Sequence, residues 1–212
     1  MINRSISKQT LLRLPLYLNY MKQLGADMPE HISATTISEA LRLNHVVVRK
    51  DLAAVSSAGK PKVGYVTRDL IAQLEEFLGY NDVDDAIIVG AGKLGKALLA
   101  YNGFSACGMN ILAAFDIDED LVCEDYYGKQ ILPMDKLMDL CQRLKVRIGI
   151  ITVPAENAQA ICSLLIKSGV CAIWNFAPVH LDVPEGIIVH NENLAASLAL
   201  LSKELREKRE TQ

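Results

Sequence analysis

The stretch Ile87-Ile88-Val89-Gly90-Ala91-Gly92-Lys93-Leu94-Gly95-Lys96 decides the fold. An apolar run stops at a glycine, and G-x-G-x-x-G then opens a helix. In a dinucleotide-binding βαβ unit each glycine has a separate mechanical task. Gly90 permits the tight strand-to-helix turn, Gly92 lets backbone approach a pyrophosphate, and Gly95 lets helix and strand pack closely. The helix start offers free N–H groups and a positive dipole end to phosphates. A lone G-x-G-x-x-G is a weak signal. Here a second apolar run, Ile111-Leu112-Ala113-Ala114-Phe115, ends in Asp116. That is about twenty residues past the last glycine, where the fingerprint requires an acid. An acid there accepts hydrogen bonds from a ribose 2′-OH and repels a 2′-phosphate. No Arg or Lys follows before Lys129, so the reading is NAD(H) over NADP(H). The alternatives are a Rossmann-like domain without its ligand and one that takes another nucleotide, such as CoA.

A length of 212 residues fits one large or two small domains, and 50% hydrophobic content is enough for real cores. Nothing resembles a signal peptide, and no apolar run reaches about 18 residues. The expectation is a soluble, cytoplasmic chain with no membrane partner. The five cysteines, Cys107, Cys123, Cys141, Cys162 and Cys171, form no C-x-x-C pair and read as buried small side chains. His31, His45, His180 and His190 show no ligand spacing, so no metal site is expected.

Charge is unevenly distributed along the chain. Residues 1–68 hold ten Lys or Arg, Arg4 and Arg13 among them, against four acids, a net +6. Residues 81–190 hold eight basic and fourteen acidic residues, a net −6. A basic front on an acidic body suggests a polyanion partner for the front, provided the local fold can dock to nucleic acid.

That fold is legible. Leu11, Leu14, Leu18, Met21 and Leu24 recur at helical spacing over residues 8–24, with Pro15 as a kink or a start and Gly25 as a stop. Ser33 to Leu41 reads as a short helix capped by hydroxyl residues. Arg42-Leu43-Asn44 makes a turn, Asn44 caps the next segment, and residues 45–57 place Val48, Leu52 and Val55 on one face with Arg49 and Lys50 elsewhere. This is a helix-turn-helix with a basic second helix. Gly59-Lys60-Pro61-Lys62-Val63-Gly64-Tyr65 has hairpin chemistry and reads as a basic wing. Thr67 is expected to cap a helix running to Leu78, ended by Gly79.

Beyond a linker near residue 81 the pattern alternates. A helix is expected over 134–144, a buried strand from Val146 to Val153, and a helix over 155–167. Short strands follow at Ala172 to Phe176 and Ile187 to His190. Alternation of this kind means a parallel, doubly wound sheet. The tail from Leu194 to Lys208 is one helix with the stripe Leu194, Leu198, Leu201 and Leu205. It packs on its own domain or crosses to a second subunit. A two-fold dimer is the expectation, since a winged helix usually meets a palindromic site that way. The fold class is therefore α/β: a winged helix-turn-helix domain over 1–80, a Rossmann domain over 81–190, and a dimerisation helix over 191–212.

A dehydrogenase would need a substrate pocket with a proton-transferring group beside the nicotinamide, and no length remains for one. Thr152-Val153-Pro154 and Asn175-Phe176-Ala177-Pro178 end two of the strands. Ligands in open α/β sheets bind beyond such carboxyl ends, so Thr152, Val153, Pro154, Asn175, Phe176 and Ala177 are expected to line the dinucleotide site rather than catalyse. No enzymatic activity is expected.

A DNA-binding front on a dinucleotide-binding body is a ligand-responsive regulator. The chain resembles the redox-sensing transcriptional repressor family called Rex. The resemblance rests on Leu14-Pro15-Leu16-Tyr17, Val48-Arg49-Lys50-Asp51-Leu52, Val63-Gly64-Tyr65, the glycine run, Ala114-Phe115-Asp116, Thr152-Val153-Pro154-Ala155-Glu156 and Asn175-Phe176-Ala177-Pro178-Val179. It implies a homodimer with swapped C-terminal helices. It also implies a repressor that binds double-stranded operator DNA, with NADH driving release and NAD⁺ competing. By matching position it puts Arg49 and Lys50 on the recognition helix and Lys60 and Lys62 on the wing; Arg13 and Asn44 complete the residues expected at DNA. Gly90, Ala91, Gly92, Lys93, Leu94, Gly95 and Asp116 would hold the dinucleotide, with Tyr101 beside the nicotinamide. The chain departs from the family pattern at Ala53-Ala54-Val55-Ser56 and at Pro61 in the wing. It also has Asn19 and Asn193 where the resemblance implies an Arg and an Asp of a state-dependent network. The readings left standing beside the repressor are a small NAD-dependent oxidoreductase and a constitutive DNA binder with a structural nucleotide.

Overall fold

Chain contacts divide the molecule into two units, Met1–Asp82 and Val83–Gln212. The computed structural model describes residues 6–210, without the side chains of Cys123, Glu124 and Glu210. Arg4 and the Cys123 thiol, both weighed above, lie outside the described residues.

The first unit opens with α1 (Lys8–Gln23), capped by Ser7, whose Oγ accepts from Thr10 N at 3.1 Å. The helix runs unbroken through Pro15, which only removes one i→i−4 donor. Leu14, Tyr17, Leu18 and Met21 are fully buried on one face. They meet Ile37 of α2 (Ala34–Leu41), Val48 and Leu52 of α3 (His45–Val55), and Leu70 and Leu74 of α4 (Thr67–Leu78). Burying a Leu or Val side chain is worth about 1.5–3 kcal/mol, which outweighs one lost helical bond. Ser33 caps α2, Arg42 ends it in the left-handed region at φ 53°, and Asn44 starts α3 by accepting from Val46 N.

Two expectations change here. Thr67 is not a cap: it is the first residue of α4, and its hydroxyl donates to the Pro29 carbonyl at 2.6 Å. The hairpin at 59–65 shrinks to one antiparallel bridge, Lys60 with Gly64. The two-stranded sheet instead joins β1 (His31–Ile32) to β2 (Tyr65–Val66), so the loop is anchored from the start of α2.

The second unit is a seven-stranded sheet in the order β5-β6-β4-β3-β7-β8-β9. Its strands are β3 (Asp84–Val89), β4 (Met109–Asp116), β5 (Cys123–Tyr126), β6 (Lys129–Pro133), β7 (Ile148–Ile151), β8 (Ala172–Asn175) and β9 (Ile188–Asn191). Every pairing is parallel except β5 with β6. The helices are α5 (Lys93–Leu99), α6 (Leu137–Leu144), α7 (Ala155–Lys167) and α8 (Leu194–Glu210). On β3, Ile87 and Val89 face one core and Ala86 and Ile88 the other. That two-sided burial is why the strand reads as an unbroken apolar run.

The β5–β6 hairpin was not foreseen. Its loop puts both Tyr127 (φ 54°) and Gly128 (φ 78°) at positive φ, and Asp125 accepts from Gly128 N at 2.6 Å. The helix expected at 134–144 starts as a 3₁₀ turn over Met134–Lys136, and the strand expected over 146–153 is trimmed to β7. Cys141 and Cys162 are buried, and burial pushes the Cys141 thiol up to about 11 and the Cys162 thiol up as well. Cys107 is exposed and Cys171 half-buried, against the expectation, because both sit in connections and not on core faces. The α8 leucines Leu194, Leu198, Leu201 and Leu205 are 52% to 68% exposed. Among the described residues no helix is long and apolar enough to cross a membrane, and no cluster of metal-ligating residues occurs.

Candidate dinucleotide and DNA sites

The three glycines of the loop after β3 differ in what surrounds them. Gly90 has φ 102°, and a Cβ there would sit 2.9 Å from the Thr152 carbonyl carbon and 3.0 Å from Val153 Cγ1. A Cβ on Gly95 would collide with the Gly90 carbonyl oxygen. A Cβ on Gly92 would meet nothing within 4 Å. The first two are fixed by the fold. The third faces open space, which is where a ligand's approach would be the constraint.

Thr152, at the end of β7, donates from Oγ1 to the Gly90 carbonyl at 2.7 Å and the Val89 carbonyl at 3.1 Å, clamping the turn. Asp116, at the end of β4, is half-buried. Its Oδ2 accepts from Ala91 N at 2.5 Å and its Oδ1 from Asp118 N at 3.0 Å. Each oxygen keeps a lone pair for a further donor.

A cavity of about 450 Å³ opens between these strand ends. It brings together Gly90, Gly92, Asp116, Thr152, Val153 and Pro154 from the expected set. Sequence reasoning missed Phe115, Ile117, Asp118, Leu121, Met134, Asn157, Ala160 and Ile161. Asn157, Ala160 and Ile161 sit on the first turns of α7 at i, i+3 and i+4, so the helix expected over 155–167 already carried the spacing that groups them on one face. The cavity's walls are largely apolar, with the carboxylates of Asp116 and Asp118 in the lining.

Other expected residues lie elsewhere. Lys93 is exposed and Leu94 half-buried, both outside the cavity lining, and Gly95 is buried beneath the turn. Ala91 offers no free donor, since its N–H goes to Asp116. Asn175 is a correction. It is fully buried, and its Nδ2 donates to the Ala177 and Val179 carbonyls and to Asn191 Oδ1, while its Oδ1 accepts from Ala177 N. Asn175 and Ala177 therefore knot the end of β8 internally and present no free polar group to a ligand. Tyr101 is 58% exposed and belongs to a chain of edge-on and tilted rings, Tyr101–Phe104–Trp174–Phe176, with centroids 4.9, 5.9 and 4.6 Å apart.

In the first unit, Arg49 and Lys50 are exposed on α3 while Val48, Asp51 and Leu52 turn inward. Arg49, Lys60 and Lys62 line one concavity of about 550 Å³; Lys50 does not. Asn44 serves as the α3 cap. Arg13 does not stand free: its Nε and Nη2 donate to Asp51 at 2.7 and 3.0 Å. Tyr17 Oη at 2.7 Å and Thr10 Oγ1 at 3.0 Å donate to the same carboxylate. Asp51 was not singled out from the sequence, yet it is the residue that ties α3 to α1. Burial by itself raises its pKa, but the hydrogen bonds from Arg13, Tyr17 and Thr10 win and hold it below 3.8. Burial, then the Asp51 bond, pushes Tyr17 up to about 12.

Both units match known protein families. A family model described as a CoA binding domain matches residues 81–179, and one described as a putative DNA-binding protein N-terminus matches residues 5–53. The redox-sensing transcriptional repressor Rex of Treponema denticola is 41% identical over 189 residues, covering 89% of this chain and 90% of that protein. The crystal structure of RSP in complex with β-NAD⁺ and operator DNA superposes with a TM-score of 0.89 at 32% identity, covering 98% of this chain and 95% of that one. RSP in complex with β-NADH gives a TM-score of 0.85 at 31% identity, covering 98% and 97%. On the strength of this identity and coverage, the chain belongs to the redox-sensing transcriptional repressor Rex family.

Proposed function

We propose that this chain is a transcriptional repressor that holds double-stranded operator DNA through residues 1–80 and reads the NADH/NAD⁺ ratio through residues 81–190, with NADH favouring release. The observation that carries the reading is the pairing of two sites in one chain. One is a glycine turn hydrogen-bonded to Asp116 at the edge of an apolar cavity; the other is a basic helix-turn-helix concavity. Gly92, Asp116, Thr152, Val153 and Pro154 are the residues assigned to the adenosine half of NAD(H), with Tyr101 and Phe176 assigned to the nicotinamide half. Arg49, Lys50, Lys60 and Lys62 are assigned to DNA.

The chain acts as a homodimer in this reading, through residues 191–212. The exposed leucine row of α8 supports it, since such a row on one helix is an unfilled packing surface. No substrate is turned over, and the site of action is the cytoplasm, where chromosome and nicotinamide pool meet.

The test is a mobility shift on a duplex enriched from a randomised library by this protein, titrated with NADH and with NAD⁺ at fixed salt. Release at lower NADH than NAD⁺ is expected. Binding that ignores both nucleotides gives the constitutive DNA binder, and steady oxidation of NADH with a second substrate gives the oxidoreductase.

A further inference from the structure

At the edge of the seven-stranded sheet two side chains converge on one carboxylate oxygen. Glu192 follows the last residue of β9, and its Oε1 accepts from the Trp174 indole N–H at 3.1 Å. His190 Nε2 lies 3.0 Å from the same oxygen. The meeting has a geometric cause. Trp174 of β8 and His190 of β9 are partners in register, and Glu192 stands two residues past His190, so the three project from one face of the sheet. The backbone here is held separately: Glu192 N donates to the Asn175 carbonyl at 2.8 Å, and Asn193 Oδ1 caps α8. A fixed strand end therefore delivers the carboxylate, which keeps its bond to the indole although Glu192 is 33% exposed.

The indole it holds is the middle of the ring chain. Phe104 stands edge-on to Trp174, and Phe176 is tilted against it at 4.6 Å. Phe176 is the first residue past β8, at the carboxyl ends where open α/β sheets bind ligands. The outer ring, Tyr101, is folded back so closely that a Cβ on Gly103 would collide with it. Phe104, Trp174 and Phe176 pack on the sheet face that carries Ala86 and Ile88. The cavity beside Asp116 belongs to the other face, with Val89, Phe115 and Ile161. A dinucleotide whose pyrophosphate rests on the glycine turn thus has one end toward the cavity and the other toward the rings. A tryptophan has one directional donor, so a single bond to it fixes the rotation of the indole and the seating of the rings on either side.

We propose that Glu192 is a positioning residue for the nicotinamide half of the dinucleotide site, acting through the Trp174 indole on the ring wall that ends at Phe176 and Tyr101. The inference rests on the dinucleotide reading and deepens it: the glycine turn and Asp116 hold one half of the ligand, and a carboxylate that never touches the ligand sets the wall for the other.

The test titrates the full chain with NADH, NAD⁺ and ADP, the last as a probe of the adenosine half alone. Glu192→Ala should weaken NADH and NAD⁺ by about three- to tenfold, the scale of one net hydrogen bond, and leave ADP unchanged. Its thermal unfolding should match wild type, because the backbone bond to Asn175 and the Asn193 cap remain. Glu192→Gln keeps an acceptor oxygen for the indole and should restore both affinities. Trp174→Phe keeps a ring and loses the N–H, so it should resemble Glu192→Ala, and the two together should be no weaker than either alone. Trp174 is the only tryptophan of the chain, so its emission reads the same bond: shifted in Glu192→Ala and unshifted in Glu192→Gln. Wild-type NADH affinity in Glu192→Ala overturns the proposal. An equal loss for ADP also overturns it, since Glu192 then supports the whole domain and not the nicotinamide half. A Glu192→Gln variant as weak as Glu192→Ala does the same. Failure of wild type to bind NADH at all overturns the dinucleotide reading instead.

Discussion

Asp51 in the first unit and Asp116 in the second both belong to short motifs, and the fold uses them in opposite ways. Asp51 is 4% exposed and receives four hydrogen bonds from three side chains of α1. Asp116 is half-buried and receives two, both from backbone N–H groups of its own site. The first carboxylate is saturated and turned inward, so its work is to hold Arg49 and Lys50 where they are. The second lines a cavity with acceptor capacity left, which supports its proposed work toward a ligand. The same side chain is structural or functional according to how many of its lone pairs the fold has already filled.

The largest effect should come from breaking the saturated one. Asp51→Ala leaves the Arg13 guanidinium without its partner, and losing one member of a buried pair costs about 3–5 kcal/mol. The lower end is expected, because the Arg13 side chain is still 25% exposed. Chemical denaturation should show the loss in the first unit, with DNA binding lost alongside it. The acid limb carries the same signature. A folded pKa below 3.8 stabilises above that value, and the contribution disappears as pH falls through the lower folded value. Asp51→Asn should flatten that limb. At the other end, Tyr17 is raised from 10.0 to about 12, so its contribution is complete below pH 10 and disappears as pH rises toward 12. Tyr17→Phe should flatten the alkaline limb and leave the acid one.

The second comparison sets two glycines of one loop against each other. Gly95→Val drives a side chain into the Gly90 carbonyl and should unfold or distort the second unit. A Cβ on Gly92 meets no protein atom within 4 Å, so Gly92→Val starts into open space. It should melt like wild type and lose NADH binding, read by nucleotide fluorescence. Wild-type NADH affinity in Gly92→Val would move the pyrophosphate elsewhere. Asp116→Arg should act more mildly. It should lower NADH affinity by about 10- to 100-fold, the loss of one or two charge-assisted hydrogen bonds, and narrow the preference over NADPH. Equal discrimination in the variant would remove Asp116 from the ribose.

How much of this was legible follows from distance along the chain. The glycine turn was readable because its spacing is local, three glycines between Gly90 and Gly95, although the atoms that crowd Gly90, on Thr152 and Val153, are remote in sequence. The two helices around Arg42-Leu43-Asn44 were readable because caps and left-handed stops are local chemistry. The β5–β6 hairpin escaped because its first turn residue is Tyr127, a poor signal for positive φ. The Asp51 cluster escaped because it joins residues 34 to 41 positions apart, and no periodicity announces such pairs. Asn175 was misread for the related reason that a strand-end polar residue looks the same whether its amide serves a ligand or the loop beyond it. The bond to Asn191, sixteen residues away, decides it.

The smallest effect belongs to two uncharged positions, Asn19 and Asn193. Asn193 Oδ1 accepts from Ala196 N at 2.8 Å and so starts α8, while Asn19 is exposed on α1. The family resemblance implies an Asp and an Arg at these positions. Asn193→Asp keeps the cap, since Asp and Asn are equivalent N-caps, and adds a negative charge at a helix start, where it is favourable. Asn19→Arg alters an exposed position, so both variants should fold like wild type. Two asparagines cannot supply the charge assistance that roughly doubles a hydrogen bond, and a ligand shifts an equilibrium only through contacts that differ between states. The expected result is that NADH binds normally but shifts DNA affinity modestly in wild type. The two substitutions together should enlarge that shift beyond the sum of the singles, with a coupling of about 0.5–1 kcal/mol in a double-mutant cycle. Full release of DNA by wild type at low NADH, with no gain in the double variant, would show that the two asparagines already sustain the switch without charge.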